Sequence, residues 1–214
     1  CFKIAVVMVM FTQAFRYAYE PFIFARNKSD DNKLAYAEAM KYFILFALFI
    51  FLGVMFYIDI LKYFVGPAFY PGLRVVPIVM LGELFFGIYF NLSLWYKLID
   101  ETRWGAYFSS MGCVATVSII LLFGSTYGYM ACAWASFFCN LLMMVLSYFM
   151  GQRKYPINYD LRSAAIYTVL AAVLYVAGMY LPIESMVLRL VYRTLLLAVY
   201  AGFMWKRDLM RYWK

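Results

Sequence analysis

Histidine is absent from the 214 residues, and charged side chains make up only 14% of them. The first absence removes the commonest general base and metal ligand, and with it any Ser–His–Asp arrangement and most zinc chemistry. The second is far below the roughly 25% charged residues of soluble domains. Four cysteines (Cys1, Cys113, Cys132, Cys139) lie in or beside apolar runs without close metal-ligand spacing. They read as small buried hydrophobes, although Cys132 and Cys139 share a helix face. Neither a phosphate-binding loop nor a dinucleotide fingerprint occurs. No metal site, organic cofactor or covalent catalysis is expected.

What fills the chain is apolar: 67% of residues are hydrophobic and the mean hydropathy is +0.77. These residues come in blocks, and a bilayer crossing needs roughly 20 of them. The expected fold is therefore all-α, a polytopic transmembrane bundle of about seven spans. The spans are placed at Ile4–Phe24, Tyr42–Ile58, Val76–Trp95, Ala106–Phe123, Tyr129–Met150, Ala164–Leu181 and Met186–Trp205. A short surface helix, capped by Ser29, Asp30 or Asp31 and ending at Met40, is expected before the second span. Gly124 to Gly128 reads as a tight turn, and Gly151 as the cap that ends the fifth span. Pro182 is expected to end the sixth. Tyr and Trp at span ends (Tyr42, Tyr57, Trp95, Tyr96, Trp104, Tyr148, Tyr155, Trp205, Trp213) read as interfacial anchors.

The net charge of +8 raises nucleic acid as a partner, but its distribution argues against that partner. With alternating spans, one side collects Arg26, Lys28, Lys33, Lys41, Lys97, Arg103, Arg153, Lys154, Arg162, Lys206, Arg207, Arg211 and Lys214. The other side holds Lys3, Lys62 and Arg74, apart from two arginines in the last span. The positive-inside rule then puts the C-terminus in the cytoplasm.

The opening span carries Gln13, Arg16 and Glu20. A helix turns about 100° per residue, so the three share one face, with Thr12 beside them. An Arg near the middle of a span costs about 2.5–3.5 kcal/mol and normally faces protein or a watery cavity. Two readings stand: Arg16 meets an anionic group in a cavity, or Arg16 and Glu20 form a structural i,i+4 ion pair. Pro21 perturbs the helix just there. In the third span Glu83 is a candidate proton or sodium site, or else a satisfied helix–helix contact, and Asn91 could share its face. Lys97 and Asp100 read as headgroup contacts. Arg189 and Arg193 read as snorkelling or lipid-contacting residues.

The strings QAFRYAYEPFIFARNKSD, YAEAMKYF, NLSLWYKLIDETRWGAYFS and YGYMACAWASFFCNLLMMVLSYFMGQRKYPINYD carry a resemblance. Together they resemble the C-terminal half of the polysaccharide and O-antigen flippases (Wzx type), in the MATE-like exporter superfamily that includes the lipid II flippase. The resemblance implies about 14 spanning helices in the whole protein, two lobes around a cavity plus two final helices. Residues 1–150 would be C-terminal lobe helices, and 151–214 the two additional helices with a basic tail. The remaining, N-terminal lobe would be a partner for the cavity. The implied activity is passage of an undecaprenyl-diphosphate-linked oligosaccharide across the bacterial inner membrane, with no covalent step. On this resemblance Gln13, Arg16, Glu20 and Asn91 line the cavity, while ion coupling at Glu83 is inferred from the residue alone. A multidrug–cation antiporter of the same superfamily, or a membrane polysaccharide-assembly enzyme, are the alternatives.

Overall fold

The computed structural model describes residues 2–26, 32–181 and 185–208, and every regular element among them is helical. Inside a bilayer no water meets the backbone, so long apolar runs satisfy their amides by coiling. The helices are α1 (Phe2–Arg26), α2 (Asn32–Phe56), α3 (Ile58–Leu61), α4 (Val76–Leu92), α5 (Leu94–Leu98), α6 (Arg103–Tyr127), α7 (Tyr129–Lys154), α8 (Leu161–Tyr180) and α9 (Met186–Arg207). Short 3₁₀ turns at Lys62–Phe64 and Pro67–Val75 join α3 to α4. Six segments are long and apolar enough to cross a membrane, and they contain α2, α4 with α5, α6, α7, α8 and α9. This is an all-α, multi-pass bundle. The 25-residue α1 is outside that set of six; Gln13, Arg16 and Glu20 lower its hydropathy.

α2 is the mast. Phe43, Leu45, Ala47 and Leu52 are fully buried along it, because it is wrapped on several sides. α1 and α4 lean on it, and so do α8 and α9. Phe11 of α1 stacks on Phe43 at 5.6 Å between ring centres, and Phe15 meets the same ring edge-on at 5.1 Å. α7 lies against α4 and in turn carries α6. α6 itself buries only Phe108 and Gly112.

Several expectations change here. The surface helix before the second span does not exist as a separate element, because α2 runs unbroken from Asn32 to Phe56; its proposed caps, Ser29, Asp30 and Asp31, lie outside the described residues. Pro182, Trp213 and Cys1 also lie outside them. α6 continues through Gly124 to Tyr127, so the turn narrows to Gly128, whose φ of 53° suits a residue without Cβ. Gly151 caps nothing: α7 runs on to Lys154. A Cβ at Gly151 would lie 2.8 Å from Trp95 Cδ1, so the glycine makes room for the indole. Trp95 and Tyr96 are accordingly 2% and 7% exposed, which makes them core residues and not interfacial anchors. Cys113 and Cys132 are exposed, contrary to the buried expectation.

Candidate functional site: a charge cluster between α1 and α4–α5

Three charged side chains meet where α1 passes the end of α4. Glu20 Oε1 accepts a hydrogen bond from Lys97 Nζ at 2.6 Å, while its Oε2 lies 3.5 Å from Arg16 Nε. One carboxylate thus bridges two cations. Both cations also sit over the Phe90 ring, at 4.3 Å for Arg16 and 4.6 Å for Lys97. The ring quadrupole attracts each of them.

The backbone explains the meeting. Arg16 and Glu20 are one turn apart on α1, and Ala5, Thr12 and Tyr19, on the stripe beside their shared face, are buried, which fixes the rotation of the helix. α4 ends at Leu92, and Ser93 Oγ donates to Phe90 O at 2.6 Å across the junction. α5 then swings Lys97 back over Phe90 toward α1. Pro21 lies inside α1, where it removes one backbone donor just beyond Glu20.

The arrangement is under-neutralised. Among the described residues Arg16 and Lys97 share one carboxylate, which leaves one formal positive charge on a half-buried face. The 3.5 Å contact does not make a hydrogen bond, and the buried Arg16 Nε has no hydrogen-bond partner. Such a guanidinium keeps a fork of donors available for a planar or tetrahedral anion.

The sequence-based site residues divide accordingly. Arg16 and Glu20 are brought together. Gln13 lies half-buried on the same face and makes no hydrogen bond among the described residues. Asn91 is 5% exposed, and its Nδ2 donates to Gly87 O at 2.9 Å within its own helix. Its Oδ1 is buried without a partner, as is Thr12 Oγ1, so polar capacity is left over on both helices. Glu83 is half-buried two turns before Phe90, with no hydrogen bond or ion pair among the described residues. Among the described residues no interhelical contact satisfies its carboxylate. Phe90 and Lys97 were missed. No spacing signals them, because α4 stops at Leu92 and a new helix begins at Leu94.

No protein-family model, curated protein or solved structure matches this chain.

Other charges prove to be ties between helices. Arg193 is 5% exposed; its Nη1 donates to Asp59 Oδ2 at 2.7 Å and to Phe56 O at 3.1 Å, and its Nε to Gly178 O at 3.0 Å. Arg189 Nη1 lies 3.5 Å from the same carboxylate. These two arginines lock α9 to α2, α3 and α8, so snorkelling does not describe them. At the opposite end, buried Asp208 accepts from Lys41 and from the Tyr167 hydroxyl. Between α5 and α6, Glu101 accepts from Lys154 at 2.6 Å and from Trp104 Nε1 at 2.7 Å. The Lys154 and Trp104 donors hold the Glu101 carboxyl below its usual range.

A cavity of about 460 Å³ opens between α6 and α7, lined by Ile119, Phe123, Tyr127, Met130, Trp134 and Phe138. It offers only apolar and aromatic walls, whereas the charge cluster presents groups that can bind an ion. Among the described residues, no group of three His, Cys, Asp or Glu side chains could hold a metal ion.

Proposed function

We propose that the chain is part of a membrane flippase that carries an anionic lipid-linked oligosaccharide, of the undecaprenyl-diphosphate class, across the bacterial inner membrane. The observation that carries this reading is the pair of cations, Arg16 and Lys97, bridged by a single carboxylate and seated on Phe90. A half-buried site with surplus positive charge favours a phosphate group, and low dielectric strengthens each contact. The multi-pass helical bundle supplies the membrane setting. The clustering of basic residues at one end of the helices supports a cytoplasmic C-terminus. The cavity would be completed by a second lobe of the same protein. No covalent step is involved, and the work is done by binding and release on alternating sides.

One observation favours the cation antiporter as a second reading. Glu83 is a half-buried carboxylate without a partner among the described residues, and such a group suits a cationic drug or a coupling ion.

Complementation separates the two. The gene is expressed in a flippase-deficient strain whose surface glycan matches that of the source, beside Arg16→Ala, Arg16→Lys and Glu83→Gln at checked membrane abundance. The flippase reading expects wild type to restore surface glycan and Arg16→Ala to lower it by about tenfold or more. Failure of the wild type to restore glycan, with gain of drug resistance abolished by Glu83→Gln, transfers the assignment to the antiporter.

A further inference from the structure

We propose that Arg16 and Lys97 form a two-cation clamp for one phosphate group, and that Glu20 is its internal, displaceable counter-ion. This deepens the flippase reading and rests on it for the identity of the substrate.

The geometry supports displacement over a permanent salt bridge. Glu20 holds Lys97 tightly at 2.6 Å but reaches Arg16 only at 3.5 Å, leaving Arg16 Nε without a hydrogen bond. A single carboxylate has two oxygens and spends them on two cations with unequal success. A phosphate offers three or more oxygens around a tetrahedral centre and can bond both cations fully. Glu20 is half-buried, so releasing it does not strand a carboxylate in a dry interior. Phe90 lies under both cations and keeps them in place when the carboxylate leaves. The buried Thr12 hydroxyl, one turn before Arg16 and without a partner among the described residues, leaves a hydrogen-bond donor on the same helix. Glu20 thereby prevents two bare cations from repelling each other in the empty state. It also sets a threshold, because an anion must outcompete it.

The threshold gives a sign that a structural ion pair cannot give. Removing the negative charge at Glu20 strengthens anion binding if the carboxylate is a competitor. It leaves binding unchanged or weakens it if Glu20 merely positions Arg16.

The test is equilibrium binding of farnesyl diphosphate to the full chain in nanodiscs, by calorimetry, with farnesol as the neutral control. Helix content of each variant is checked by circular dichroism. Glu20→Gln is expected to bind the diphosphate about tenfold tighter, the effect of deleting one charge-assisted competing bond. Lys97→Ala is expected to bind about tenfold weaker or more, with Lys97→Arg largely restoring affinity. Farnesol binding is expected to be equal in all. Equal or weaker diphosphate binding by Glu20→Gln overturns the displaceable counter-ion. Unchanged binding by Lys97→Ala overturns the clamp. Because the readout is binding, the clamp can stand even where glycan complementation fails, and the flippase reading can stand where the clamp does not.

Discussion

Replacing Arg193 with alanine removes the central tie of the α2–α3–α8–α9 corner. Its guanidinium serves Phe56 O, Gly178 O and the Asp59 carboxylate at 3.1, 3.0 and 2.7 Å. Interhelical hydrogen bonds in membranes average about 0.6 kcal/mol, so three of them give about 2 kcal/mol. The ionic part raises this, since leaving one partner of a buried ion pair behind costs about 3–5 kcal/mol in soluble proteins. Asp59 is 23% exposed and keeps some water, which places the expected loss at about 2–4 kcal/mol. At about 2–4 °C per kcal/mol for a chain of this size, the melting midpoint should fall by roughly 5–15 °C. The assay is intrinsic-fluorescence unfolding in a fixed detergent, with Arg193→Lys and Asp59→Asn beside it. Arg193→Lys should recover only part of the loss, because one ammonium cannot reach three acceptors in fixed directions. A double-mutant cycle between Arg193 and Asp59 should show coupling of about 1 kcal/mol or more. A melting midpoint for Arg193→Ala within about 1 °C of wild type would mean that the buried arginine contributes nothing, and the lock is wrong.

Three further outcomes are expected. Asp160 caps α8 by accepting from the Ser163 amide at 3.0 Å, so Asp160→Ala should cost about 1 kcal/mol in the same melting assay. The Ser163 hydroxyl and amide hold the Asp160 carboxyl below its usual range, and Lys154 with Trp104 does the same for Glu101. A depressed carboxylate stabilises the fold above the ordinary value of about 4 and loses that contribution as pH falls through its lower folded value. Melting scans at decreasing pH should show that acid-linked loss, and Glu101→Gln should remove part of it. Gly151→Ala sets a methyl group against the Trp95 indole and should destabilise by about 1–3 kcal/mol, read by melting and by a shift in tryptophan emission.

The fold was legible because lipid imposes one solution on long apolar runs. The six apolar spans from α2 to α9 and the Tyr129 start of α7 followed from hydropathy, whereas the turn expected over Gly124 to Gly128 shrank to Gly128 and α1 fell outside the spanning set. Helix ends were read short, since hydropathy stops where polar residues begin while the backbone continues to the next disruption. Thus α2 begins at Asn32 and not near Tyr42, and α7 continues past Gly151. The site was half legible. Arg16 and Glu20 announced themselves by being charged within an apolar run, and their spacing fixed a common face. Lys97 did not, because a lysine at a span end has an ordinary explanation in headgroup contact. Only the α4–α5 junction at Ser93 aims it at Glu20. The same limit hid the partner of Arg193: periodicity places a residue on a face but does not say which neighbouring helix end supplies a carboxylate.

Because α6 leans chiefly on α7 and buries little else, most of its surface is left uncovered among the described residues. Its 25 residues span about 37 Å at 1.5 Å per residue, against about 30 Å of hydrocarbon. Tilting is the ready way to absorb that excess, and Gly128 gives the hairpin a single pivot. The α6–α7 hairpin can thus take up a difference in bilayer thickness by changing its inclination. α7 packs against α4, the helix that carries Phe90, so such a change would bear on the helix beneath Arg16 and Lys97.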